Sequence, residues 1–352
     1  MDLLAFKLFG LSAHGDTAVL CLPTVRLLFP AAVLLLLTGC QAQSLSLPKS
    51  EKLSAEKVAQ IATTIDQTYP KLSTDIRTQL LNTVVQSLDN MVFVEGGEFQ
   101  MGDFGWKCDD NPHDMCEWPC GVEPERLCNI SMDGDDDFVH PVKLSSYYFS
   151  KFQTTIKDFD LFFIAQGKPL FDKELRKRED LQFRYQPKKP AFPQAWQEAK
   201  DYCGWLGQLS GYSVDLPTEA QWEYAARNRG QYVFFATDNG ALDYGRNFPH
   251  PNETRTFTVD RFVPNPLGIY NLSGNAVDWV NDWYGADYYH HSPVENPTGP
   301  ETGTLRIHRG STYAEGPLIS ASTVRRWADE PVKSRYLPGF GFRCSIQSDQ
   351  PL

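Results

Sequence analysis

Eighteen residues, GIYNLSGNAVDWVNDWYG (268–285), hold three glycines, three asparagines, two aspartates, two tryptophans and two tyrosines. Glycine and asparagine favour tight, left-handed backbone. The aromatic rings call for burial, with partners for the indole N–H and the phenol O–H. A chain that turns sharply inside a protein must also find partners for its carbonyls. A bound cation is one way to supply them, with Asp278 providing charge. A tight turn held by asparagine–backbone hydrogen bonds is the other. A second acidic stretch, DGDDDF (133–138), opens like an EF-hand loop, but its twelfth position is Leu144 rather than the required Glu. It reads as a solvated acidic loop, with adventitious calcium the lesser alternative.

The cysteines depend on where the chain resides. VRLLFPAAVLLLLTGC (25–40) places Arg26 before an apolar run too short to span a bilayer comfortably, which is the pattern of a signal-peptide core. Leu37, Thr38, Gly39 and Cys40 resemble a bacterial lipobox, in which Cys40 is lipidated and becomes the mature N-terminus. An ordinary cleaved signal peptide is the simpler alternative. Residues 1–24 make little sense as part of a signal, so translation is expected to start near Val25. The resulting expectation is a signal peptide over 1–39 and a lipidated tether over 40–52. Gln41, rather than Asp, after the lipidated residue points to the outer membrane, facing the periplasm. In an oxidising compartment the six remaining cysteines, Cys108, Cys116, Cys120, Cys128, Cys203 and Cys344, favour disulfides. Four lie within 108–128, where two local bridges would staple an insertion (106–138) with little apolar content of its own. Their irregular spacing argues against zinc.

The chain has 352 residues, 41% hydrophobic and 22% charged, which is a globular composition. A net charge of -11 without a Lys/Arg cluster argues against nucleic acid as a partner. Ser54 and Ser73 are placed to cap two helices with apolar positions at Val58, Ile61, Ile65 and Tyr69, then Ile76, Leu80, Val84 and Leu88. Pro70 separates them, giving a helical hairpin over 53–90. MVFVEGGEFQMGD (91–103) alternates around Gly96-Gly97 and reads as a β-hairpin. Residues 140–155 are strand-like. Residues 195–211 are helical and stopped by Gly211, and Thr218 with Gln221 forms a capping box for a helix within 216–230. Beyond it the helical pattern disappears, which predicts a loop-rich α+β fold in need of staples.

MVFVEGGEFQMGD, LPTEAQWEYAAR, GIYNLSGNAVDW, RGSTY and GFGFRC follow one another in the order of the formylglycine-generating enzyme, or sulfatase-modifying-factor, family. The resemblance covers about 91–346 and implies a domain over 91–348 with a C-type-lectin-like fold and little regular secondary structure. It implies calcium on Asn271, Gly274, Ala276 and Asp278, although the family usually has Glu where Asp278 stands and Trp where Val277 stands. A second calcium loop of the catalytic members matches here only at Asn247. Catalytic members bind copper through two cysteines after the RGSTY motif, and those positions are Ala314 and Ile319. Neither can ligate Cu(I), so no copper is expected. Ser311 and Arg326, or Arg325, match the remaining cleft residues. Cys203 lacks its usual partner near Val324, which leaves it to pair with Cys344. The related sulfoxide synthases hold iron on three histidines contributed largely by an N-terminal bundle. Here 50–90 contains no histidine, and the seven histidines at 14, 113, 140, 250, 290, 291 and 308 form no HxxxH pair.

Together these features lead to the expectation of a periplasm-facing lipoprotein whose non-catalytic domain binds another protein. An accessory or immunity-type role, such as those beside type VI secretion effectors, fits that class. The alternative is a periplasmic oxidoreductase or protein-modifying enzyme with a rebuilt cleft. The anchor is directly testable: Cys40→Ser should move the protein from the membrane pellet to the soluble periplasmic fraction with altered processing. A variant that stays in the pellet with unchanged processing refutes the lipobox.

Overall fold

The computed structural model describes residues 45–352 except 109, 110, 112, 114, 115, 314–319 and 335. Cys40, Val25 and the signal and lipobox residues lie outside the described residues, as do Ala314 and Ile319. No helix among the described residues is long and apolar enough to cross a membrane.

The two serine caps form as expected. Ser54 accepts from the Lys57 N–H at the start of α1 (Ala55–Thr68), and Ser73 from the Ile76 N–H at the start of α2 (Thr74–Asp89). Chain direction changes at Tyr69, the residue before Pro70, where the helical conformation is disfavoured. The buried faces of the pair, Val58, Ile61 and Ile65 with Leu80, Val84 and Leu88, enter one core with Phe159, Phe162 and Trp205. Each such side chain contributes about 1.5–3 kcal/mol when fully buried. The hairpin is therefore part of the core rather than an appendage. Trp205 Nε1 also donates to the Tyr69 hydroxyl at 2.9 Å.

Strands β1 (Met91–Val94) and β2 (Gly97–Met101) correct the expected β-hairpin. They do not pair with each other. β2 pairs with β3 (His140–Leu144), and β1 with β4 (Tyr147–Ser150). The cause is Gly96, where any Cβ would collide with the Leu144 carbonyl and the Ser145–Ser146 peptide. The chain crosses from one sheet to the next there, pressed against the turn between β3 and β4.

Helix α3 (Ile156–Ala165), capped by Thr155, is one that the strand-like reading of 140–155 left unassigned. Its aromatic residues Phe159 and Phe162 pack against Tyr202 and Trp205 of α4 (Trp196–Ser210), which ends on left-handed Gly211 as expected. Next come β5 (Val214–Asp215) and α5 (Glu219–Ala226), with the predicted capping box intact. No α-helix follows among the described residues. The rest of the chain supplies β6 (Val277–Trp283), β7 (Arg306–Arg309), β8 (Arg326–Asp329), β9 (Phe340–Phe342) and β10 (Ser345–Ile346) between irregular segments.

These strands form three sheets: β1-β4-β10-β5, β2-β3 and β8-β7-β6-β9. In the third, β6 is antiparallel to β7 and parallel to β9, and a register shift lies between Trp279 and Trp283. Arg306 on β7 is sandwiched between the rings of Trp196 and Trp283, 3.5 and 3.4 Å from the centroids, so the third sheet is held on α4 by cation–π contact.

All six described cysteines are bridged, as Cys108–Cys128, Cys116–Cys120 and Cys203–Cys344. The first two staple the insertion, where Trp118 stacks on Tyr232 at 4.0 Å. The third ties α4 to the residue preceding β10 across 141 positions. Closing so long a loop restricts the unfolded chain most. Replacing Cys203 and Cys344 together with alanine should cost about 2–5 kcal/mol in urea unfolding. An unchanged midpoint would show that this bridge is dispensable.

Candidate functional site

The α5 capping box fixes the site. Thr218 Oγ1 accepts from the Gln221 N–H, and Gln221 Oε1 accepts from the Thr218 N–H at 3.0 Å. The helix then presents Glu219 and Glu223 one turn apart. Arg309, at the end of β7, donates through Nη1 to Glu219 Oε1 (2.9 Å) and through Nη2 to Glu223 Oε2 (2.7 Å) and the Thr323 carbonyl (2.7 Å). Arg227 Nη1 bonds Glu223 Oε1 (2.8 Å) and the Gln100 carbonyl (2.7 Å). Arg326, the first residue of β8, reaches Glu219 through Nε (3.1 Å) and Nη2 (3.3 Å). The Tyr289 hydroxyl donates to Glu219 Oε1, and the Gly102 N–H to Glu223 Oε1.

Three guanidiniums and two carboxylates are thus buried together. Burial opposes the charges of Arg309 and Arg326, but the facing carboxylates outweigh it and hold both above the usual arginine range. Breaking a buried pair by removing one partner typically costs about 3–5 kcal/mol, because the other charge is left uncompensated. Asp282 on β6 completes the group by accepting the Glu219 N–H at 2.9 Å. Burial, reinforced by the Glu219 charge, pushes the Asp282 carboxyl up to about 8.

The cleft residues implied by the family resemblance lie inside this network. Arg326 is 2% exposed and engaged by Glu219, and Ser311 is fully buried just beyond β7. Arg325 instead stacks on Trp327 at 3.6 Å and pairs with Asp133 at 3.1 Å. Neither arginine presents a free guanidinium to a substrate.

The opening motif does fold into one buried turn running into β6. Asn271 is left-handed (φ +59°), and its Nδ2 donates to the Val259 carbonyl at 2.8 Å. Gly274 packs against the Phe248 ring. The Ala276 carbonyl accepts from Gln153 Nε2 at 2.5 Å, and the same amide reaches Asp278 Oδ1 at 3.2 Å. Asp278 Oδ2 accepts from Arg343 Nε at 2.7 Å and from Trp222 Nε1 at 3.0 Å. The single carboxylate of the set is matched by a guanidinium and an indole, and its carbonyl by a carboxamide. A calcium ion on Asn271, Gly274, Ala276 and Asp278 would share the Ala276 and Asp278 oxygens with these donors. Asn247 is likewise engaged, with the Asp243 N–H, Asp238 and the Ala241 carbonyl.

Other residues of consequence carried no signal of their own. Arg343 sits in the GFGFRC motif without an evident role, and Gln153 lies in no motif. A cavity of about 230 Å³, lined by Thr83, Ser87, Gln153, Asp158 and Tyr202 among others, forms where α2, α3 and α4 meet the irregular segment near Val259. His308 on β7 is buried and bonded through Nε2 to Asp329 at 3.0 Å, and burial holds its pKa down.

Fold and site define a disulfide-stapled α+β domain with little regular structure, organised around buried arginines. The sequence profile of the Sulfatase-modifying factor enzyme 1-like domain matches residues 77–348, and the chain belongs to that family. The match begins inside α2, so the second helix of the hairpin falls within the family domain. The chain is 32% identical over 178 residues to the formylglycine-generating enzyme of Streptomyces coelicolor, covering 46% of this chain and 54% of that protein. It is 28% identical over 275 residues to the serine/threonine-protein kinase pkn1 of Chlamydia pneumoniae, covering 73% of this chain and 38% of that one. The chain therefore spans about half or less of the length of these curated relatives. PvdO from Pseudomonas aeruginosa superposes with a TM-score of 0.53 at 22% identity, covering 73% of this chain and 94% of PvdO. Treponema denticola variable protein 1 gives 0.52 at 17%, covering 73% and 95%. These two structures share the fold.

Asp282 generates a pH test. Its native carboxyl holds a proton up to about pH 8, whereas an unfolded aspartate releases its proton near pH 4. The native state binds more protons across that window, so this group costs stability increasingly as pH rises from 4 to 8. Asp282→Asn keeps an acceptor for the Glu219 N–H without that cost. The melting-temperature difference, variant minus wild type, should grow from pH 5 to pH 8. A constant difference would refute the assignment.

Proposed function

We propose that the chain is a lipid-anchored, periplasm-facing member of the family whose domain binds another protein rather than acting as a copper oxidase. The observation that carries this reading is the state of the cysteines. All six described ones are bridged, and the two copper positions are Ala314 and Ile319. Soft Cu(I) needs thiolates, and a mixed disulfide with a substrate cysteine needs an attacking thiolate. The engagement of Arg326 by Glu219 supports the same reading, since it removes a cation that a substrate would need. A mouse relative named as an inactive C-alpha-formylglycine-generating enzyme 2 is 26% identical over 304 residues, covering 74% of this chain and 87% of that protein. On this reading the domain is a scaffold of the accessory or immunity type.

The purified protein should carry substoichiometric copper and iron by elemental analysis and consume no oxygen with a cysteine-containing peptide. Crosslinking in intact cells should yield one dominant protein partner near equal stoichiometry. One copper per chain with thiol-dependent oxygen uptake would overturn the proposal in favour of a rebuilt enzyme.

A further inference from the structure

The pairing of β2 with β3 brings together the two chain segments that leave them at one end, Met101 facing His140. Asp103 follows β2, and Asp136 and Asp137 precede β3. The Asp103 N–H donates to the Asp136 carbonyl at 2.8 Å. Gly102 permits this approach: its φ is +115°, and a Cβ there would meet the Asp136 and Phe138 carbonyls at 3.0 Å. Each of the three aspartates offers a carboxylate oxygen, and these oxygens all lie within 4.8 Å of one another.

Among the described residues these three carboxylates bond to uncharged donors, and Arg309 acts on Asp136 only through its charge. Asp103 accepts from the Gly105 N–H (2.9 Å) and the Ser131 N–H (2.7 Å), and Asp137 from Asn129 Nδ2 (2.7 Å). The neighbouring arginines go elsewhere, Arg325 to Asp133 at 3.1 Å and Arg326 to Asp135 at 3.8 Å. Asp136 is the decisive residue. It is 0% exposed, its Oδ1 accepts from Ser131 Oγ at 2.6 Å, and its Oδ2 has no hydrogen-bond partner. A buried carboxylate oxygen with no donor, beside two other carboxylates, calls for a partner.

We propose that Asp103, Asp136 and Asp137 form a binding site for a hard divalent cation, calcium, separate from the 268–285 turn. Around calcium, oxygen ligands sit at about 2.3–2.6 Å in irregular geometry, so donors within the observed separation can share one ion. The acidic run 133–138 thus serves in a manner unlike an EF-hand. Alternate aspartates Asp133 and Asp135 go to arginines, while Asp136 and Asp137 join a residue some thirty positions upstream.

Chelator-stripped, detergent-solubilised full-length protein titrated with calcium chloride should bind one ion per chain, with a rise in melting temperature. Asp137→Ala removes the exposed ligand and should weaken binding tenfold or more. Asp136→Asn should abolish it, while Asn271→Ala should leave the affinity unchanged. No binding by wild type at millimolar calcium overturns the proposal. Equal affinity in wild type, Asp136→Asn and Asp137→Ala means an adventitious ion only. Loss of binding in Asn271→Ala with retention in Asp137→Ala would put the ion in the 268–285 turn and equally refute this site.

Discussion

Arg309 has no access to water, and both terminal nitrogens of its guanidinium are bonded inside the domain. Its guanidinium is matched on one side by Glu219 and Glu223 of α5 and on the other by the Thr323 carbonyl. Through those two carboxylates, Arg227, Arg326, Tyr289 and the Gly102 amide join the same group. Few other contacts could connect so many segments at once, since most of the chain beyond α5 is irregular. Apolar packing is non-directional and would tolerate many arrangements of such loops. A fork of fixed hydrogen bonds tolerates few. Desolvating five charges is costly, so the network's role is better understood as specifying one arrangement than as adding stability.

That arrangement also explains why Arg326 and Ser311 are buried among the described residues. Arg326 enters β8 already bound to Glu219, and its other donors turn towards the Asp135 and Gly285 carbonyls. The acidic loop is thereby fastened to the strand through Arg325–Asp133 and Arg326–Asp135. The turn of 268–285 follows the same logic on the other side of β6. Asp278 meets Arg343 and Trp222, and the Gln153 amide bridges Asp278 and the Ala276 carbonyl. Charge is neutralised inside the chain at both places.

Local rules were legible wherever a side chain acts on its own neighbourhood. The caps at Ser54, Ser73 and Thr218 and the stop at Gly211 follow from hydrogen bonds spanning three or four residues. The pairing of Cys203 with Cys344 came from the family pattern, once the usual partner position was seen to be empty. What stayed hidden depends on distant segments. Gly96-Gly97 has hairpin composition, yet the neighbouring strands join different sheets because the β3–β4 turn packs against Gly96. Gln153 is a polar residue with no motif, and only its position beside β6 makes it the partner of Ala276 and Asp278. The aspartates of 133–138 announce charge but not which of them meet Asp103, because that choice is made by the β2–β3 register.

The first sheet has an order of assembly written into it. β4 lies between β1 and β10, and β10 alone joins β5 to the rest. As the chain is synthesised from its N-terminus, β1 and β4 can pair early, but the seat on the other side of β4 stays vacant until residues 345–346 emerge. Cys203 likewise waits as a thiol for Cys344. Every element between β4 and β10 must therefore be delivered before the sheet closes, and until then an open strand edge is available for pairing with other chains.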